Sequence, residues 1–135
     1  MGAHGAYLEF IVWDTRQQNG YVVANRYLGE EQHFQVWKFN ERQQFTRVPD
    51  VLKVSQGEAQ AAYQRVTGKA PKTAPSLHWE FPRRGTTITV SLNPSDRALL
   101  TKCKVISDVT YDCGEKLNVA EFRWTGTQFV KRLIK

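Results

Sequence analysis

The sequence predicts an α+β fold built mainly of antiparallel β-sheet, with two β-meander halves that share one core and one amphipathic helix, at about residues 56–67, between them. Three observations carry this. Short apolar and aromatic runs of period two recur on both sides of a Pro- and Gly-containing connector at 68–76. One segment before that connector has helical period and marked ends. The 135 residues suffice for one hydrophobic core, whereas each half is too small to be comfortably stable alone, so 1–135 is expected to be a single domain. Residues 1–6 are read as disordered or as a cloning remnant.

YLEFIVW is apolar on both faces, Leu8, Phe10 and Val12 against Ile11 and Trp13, and reads as a central strand covered on both sides. The polar turn DTRQQNG follows, and its Asn19–Gly20 step is a hairpin signal that pairs this strand with YVVANRYL. In SQGEAQAAYQRVTGK, Ser55 and Glu58 form a capping box and Gly68 supplies a left-handed stop. Ala59, Ala62, Tyr63 and Val66 make a narrow apolar stripe opposite Gln60, Gln64 and Arg65. GKAPKTAPS cannot easily continue a helix or a central strand and is the connector. In TTITVSL, Ile88, Val90 and Leu92 face the core and Thr87, Thr89 and Ser91 face solvent. NPSDRALL suggests a short helical turn with Asn93 as cap and Pro94 at the first helical position. The halves also read as a pseudo-repeat: FQVWKFNERQQFTRV and AEFRWTGTQFVKRL both run strand, tryptophan, turn, phenylalanine and basic strand, matching Trp37 with Trp124 and Phe45 with Phe129.

The two cysteines, Cys103 and Cys113, lie in TKCKVISDVTYDCGEK. A three-residue turn at Ser107–Val109 pairs Ile106 with Thr110 and Val105 with Tyr111, which sets Cys103 opposite Cys113 within disulfide reach. A bridge there points to an oxidising compartment, periplasmic or extracellular. A structural zinc site is not expected, because two thiols with nine residues between them and no neighbouring histidine lack close ligand pairs.

A composition of 41% hydrophobic, 12% aromatic and 24% charged residues is that of a globular chain and excludes disordered, collagen-like and coiled-coil classes. No apolar run reaches the roughly 20 residues of a membrane-spanning helix. The formal charge of +6 is unevenly placed, since residues 1–67 hold seven Lys or Arg against seven Asp or Glu and residues 68–135 hold twelve against six. Such a field attracts an acidic protein or another anionic ligand.

Motifs for acyl transfer, zinc proteolysis, phosphate cradling, dinucleotide binding and dithiol exchange do not occur, so no catalytic residue, metal or cofactor is assigned. His78 and Glu80 alternate on one strand face, which is two groups and not a site. Recognition chemistry is better represented. FPRRGTT presents Arg83 and Arg84 at a turn, where two guanidinium groups can fork onto carboxylates or phosphates. Lys131 and Arg132 in FVKRLIK would extend that basic surface if the strand lies near the turn, and Trp79 beside His78 is the tryptophan most open to a binding role. The expected function is therefore a non-enzymatic periplasmic or secreted binding domain, such as an inhibitor or immunity-type protein that recognises an acidic partner. The alternatives are a nucleic-acid-binding module and a small hydrolase with dispersed catalytic residues.

Overall fold

The computed structural model describes residues 7–29, 31–82, 85–108 and 110–135. Among them the element order is β1 (Tyr7–Asp14), β2 (Gly20–Leu28), β3 (Glu31–Phe39), β4 (Phe45–Arg47), α1 (Gln56–Thr67), β5 (Leu77–Glu80), β6 (Thr87–Leu92), α2 (Arg97–Leu100), β7 (Lys104–Ser107), β8 (Thr110–Asp112), β9 (Asn118–Trp124) and β10 (Phe129–Leu133). The expected α+β architecture, mainly antiparallel, is what is observed. One sheet runs β1-β2-β3-β4, a second runs β10-β9-β6-β5, and β7-β8 stand as a two-stranded ribbon. Read from β5, the second sheet has the same chain-order arrangement as the first, with α2 and the β7-β8 ribbon inserted between β6 and β9.

Contacts divide the chain into two compact units. The first is built on β1–β4 with Phe81–Thr87 and Phe122–Val130. Its core holds Val23, Val36, Leu52 and Phe122 together with an aromatic cluster. In that cluster the Trp13 ring lies 5.2 Å from Phe129, Phe34 lies 5.4 Å from Phe81, and Trp124 lies 5.0 Å from Phe129. Offset and edge-on pairs of this kind add to simple area burial. Asn25 is fully buried, and its amide is satisfied on both sides: Nδ2 donates to Glu9 Oε1 at 2.9 Å and Oδ1 accepts from Gln32 Nε2 at 3.0 Å.

The second unit comprises Val54–Glu80, Ile88–Glu121 and Lys131–Lys135. Ile88, Val90 and Leu92 of β6 are buried as their alternation predicts, while Thr87, Thr89 and Ser91 are half-buried. α1 has the ends expected of it. Ser55 Oγ accepts from the Glu58 amide and the Glu58 carboxylate accepts from the Ser55 amide, while Gly68 closes the helix at φ 75°. Ala59, Ala62 and Tyr63 are its buried stripe. No regular element occurs between α1 and β5, where the connector was expected.

Three local expectations are corrected. β1 is an edge strand and not a central one, because every strand of its sheet pairs with its chain neighbour and, among the described residues, the first strand therefore has only β2 beside it. Leu8, Phe10 and Val12 are left 56%, 67% and 56% exposed. The β1-β2 turn is closed by Thr15 N–H donating to Asn19 O at 2.7 Å, with Gln18 in the left-handed conformation at φ 61°. Asn19–Gly20 thus follows the turn. The short helix α2 is capped by Asp96, whose Oδ1 accepts from the Leu99 amide at 2.9 Å, and not by Asn93. The Asn93 amide is instead committed to Ser76 Oγ at 3.0 Å.

Candidate functional site

Arg83 and Arg84 lie outside the described residues. The other sequence-derived binding residues all fall on the β10-β9-β6-β5 sheet, but not together. His78 and Trp79 sit on β5, in register with Ser91 and Val90 of β6, and both are half-buried. Burial lowers the His78 pKa below the ordinary imidazole value, against the upward pull of the Glu80 carboxylate on the same strand face. Lys131 and Arg132 sit on β10, the opposite edge. Three inter-strand steps separate the two edges, about 14 Å.

Each of these cations has a carboxylate. Lys131 Nζ donates to Glu58 Oε1 at 2.7 Å and Oε2 at 2.9 Å, and Arg132 Nη2 donates to Glu121 Oε2 at 2.8 Å. Lys131, followed by the Ser55 amide, holds the Glu58 carboxyl below its ordinary value of 4.5. A carboxyl with a depressed folded pKa stabilises the fold fully above its unfolded value, and that contribution is lost as the pH falls through the folded one. We therefore expect stability against urea to decline below about pH 4.5. Lys131→Met should remove part of that decline, with an effect of about 1 kcal/mol for a partly exposed pair. Parallel pH profiles for the two proteins would contradict this assignment.

The β7-β8 ribbon combines apolar content with exposure along its described length. α2 ends in a turn in which Lys102 N–H donates to Leu99 O and Cys103 N–H to Leu100 O, each at 3.0 Å, and the chain then enters β7. Lys104 pairs with Asp112 and Val105 with Tyr111, as the sequence register predicts for the latter pair. Ser107, not Ile106, pairs with Thr110, so Ile106 is an extra residue that bulges the strand and increases its twist. Beyond β8, the Gly114 amide donates to Asp112 Oδ1 at 3.0 Å and Gly114 adopts φ 55°, which turns the chain back toward β9.

Every strand residue of this ribbon is exposed. Val105 is 65%, Ile106 61% and Tyr111 41% exposed, which leaves on the order of 300 Å² of apolar side chain facing solvent. A two-stranded hairpin without a packed face is at best marginal in water. Cys103 and Cys113 are joined across its base, with Cα atoms 4.0 Å apart, and closure of so short a loop stabilises the hairpin by about 2–3 kcal/mol. The bridge holds an exposed element in shape. Ordering the loop in advance lowers the entropy cost of docking it against a partner. Sequence reasoning found the bridge and the Val105–Tyr111 pair of the register, but did not single out Val105, Ile106 or Tyr111 as contacts; their only signal was an apolar pair placed between two cross-strand cysteines.

The tryptophans offer less. Trp13 and Trp124 are buried, at 5% and 9% exposed, and Trp37 and Trp79 are half-buried. An open depression of about 810 Å³ within the first unit is floored by the β1-β2 turn, Lys38 and Thr125–Thr127. Among the described residues no three His, Cys, Asp or Glu side chains converge as metal ligands would. No described helix is long and apolar enough to cross a membrane. No family model matches this chain, and no curated protein or solved structure does either.

Proposed function

We propose that this chain is a non-enzymatic binding domain of an oxidising compartment, periplasmic or extracellular, which presents the β7-β8 hairpin to a cleft on a partner protein in the manner of an inhibitor or immunity protein. The observation that carries the reading is the hairpin itself: three large apolar side chains held exposed on a ribbon that a disulfide closes. Burial of such residues in a partner's pocket is how binding hot spots form, and aromatic anchors such as Tyr111 are enriched there. The positive surplus of residues 68–135 favours an acidic partner. The disulfide favours a compartment where thiols are oxidised.

Capture from a native periplasmic or secreted extract tests this. The intact protein should retain a discrete partner, and the Cys103→Ser/Cys113→Ser variant should retain about tenfold less, because a frayed hairpin must be ordered on binding. Equal capture by the two proteins would reject the hairpin as the contact. Arg83→Ala/Arg84→Ala in the same assay measures the basic contribution. Tight, steeply salt-dependent retention on oligonucleotides would favour a nucleic-acid-binding module instead.

A further inference from the structure

The edges of the two four-stranded sheets are not alike. β4 is three residues long, carries Arg47 and is followed closely by Pro49. β5 is four residues long and is flanked by Pro75 and Pro82. β10 carries Lys131 and Arg132. Short length, proline and basic side chains are the means by which natural proteins keep sheet edges from pairing with another chain. β1 has none of them: it is eight residues long, contains no Pro, Lys or Arg, and pairs with β2 without a bulge from Tyr7–Tyr27 to Asp14–Gly20. Its sequence is that of a strand covered on both sides, yet it stands at an edge with Leu8, Phe10 and Val12 more than half exposed.

The phase of the ladder shows what that edge presents. Thr15 and Asn19 form a hydrogen-bonded pair at the head of the β1-β2 hairpin, so in an unbroken antiparallel ladder the odd-numbered residues of β1 turn their amides toward β2. The amides and carbonyls of Leu8, Phe10 and Val12 then turn away from β2. Antiparallel self-pairing keeps each side chain on its own face of the sheet only if paired residue numbers sum to an even value. A sum of 18 sets Glu9 against itself, and a sum of 22 sets Leu8 against Asp14. A sum of 20 sets Phe10 against Phe10, Leu8 against Val12, Tyr7 against Trp13, and Glu9 against Ile11. This register joins aromatic to aromatic and aliphatic to aliphatic and brings no like charges together. Glu9 is already held by Asn25 Nδ2 and by Tyr7 OH, each at 2.9 Å, so it adds no bare charge to the seam.

We propose that β1 pairs antiparallel with β1 of a second copy of this chain, across a two-fold axis at Phe10, and so joins two four-stranded sheets into one of eight. Seven residues from each copy take part, which is a small interface with an expected Kd of about 1–100 μM. The contact uses no residue of the β7-β8 hairpin.

Cysteine cross-linking of the full chain tests the register. At the axis, Phe10→Cys places two thiols in directly opposed positions, about 5.5 Å apart between Cα atoms. Mild oxidation at 50 μM should link most of the protein into dimers, with peptide mapping locating the bond at residue 10 of both copies. Leu8→Cys alone puts its thiols about 13 Å apart along the seam and should link at least tenfold more slowly. An equimolar mixture of Leu8→Cys and Val12→Cys should link as hetero-pairs as readily as Phe10→Cys does. Sedimentation supplies a readout without cysteine. The parent protein should shift from monomer to dimer as its concentration rises, while Phe10→Lys, which sets charge on charge at the axis, should remain monomeric with an unchanged melting curve. A parent that is monomeric up to 1 mM, a dimer indifferent to Phe10→Lys, or Leu8→Cys linking to itself as fast as Phe10→Cys would each overturn the proposal, including a case in which another protein is found on β1.

Discussion

Replacing Val105 and Tyr111 together by serine is expected to weaken capture of the partner about 100-fold and to leave the melting temperature within about 2 °C of the parent. The two halves of this expectation have one cause. Val105 and Tyr111 face each other across the ribbon and are 65% and 41% exposed, so little of their transfer free energy is realised in the free protein. Exposed substitutions of this kind usually change stability by no more than about 0.5 kcal/mol. If a partner's cleft buries the same side chains, each contributes about 1–2 kcal/mol to binding, and the loss of both amounts to roughly two orders of magnitude. Calorimetric melting and titration with the captured partner give the two readings. A variant that melts normally and still binds within threefold of the parent would remove the hairpin from the contact. A variant that unfolds would show instead that these residues support the fold, contrary to their exposure.

Gly20→Ala is expected to destabilise the first unit by about 3 kcal/mol or more, a fall of roughly 10 °C in melting temperature. A Cβ at residue 20 would lie 2.0 Å from the carbonyl oxygen of Trp13 and 2.8 Å from the Cα of Asp14. Both are backbone atoms of the facing strand, so no side-chain rotation relieves the contact and β1 or β2 must move. Trp13 is the wrong residue to displace, since its ring is buried against Phe129 at 5.2 Å and Phe81 at 6.5 Å. Urea unfolding measures the effect, and a loss below about 1 kcal/mol would mean that the hairpin accommodates the methyl group by twisting. The Asn19–Gly20 step, read from the sequence as the turn itself, is thus needed for a different reason. The glycine permits close approach of two strands, and the left-handed turn residue is Gln18.

The features legible in the chain are those whose partners lie close in sequence. The capping box of Ser55 and Glu58, the left-handed Gly68 and the buried face of α1 span fewer than four turns, and local hydrogen bonding decides them. Cys103 and Cys113 could be paired from the hairpin register, even though the bulge at Ile106 moved one rung of it. Alternation placed Ile88, Val90 and Leu92 correctly because period two is a property of the strand itself. What the chain could not disclose is which strand ends up without a neighbour. YLEFIVW has the composition of a covered strand, and only the pairing of the whole sheet leaves it at an edge. The basic residues could be counted from the chain but their carboxylate partners could not be read from it: Lys131 meets Glu58 across 73 residues of sequence. Local patterns are set by dihedral preferences and by hydrogen bonds within a few residues. The neighbours of an edge, the partner of a charge and the exposure of an apolar face depend on how distant segments pack, and those were settled only in three dimensions.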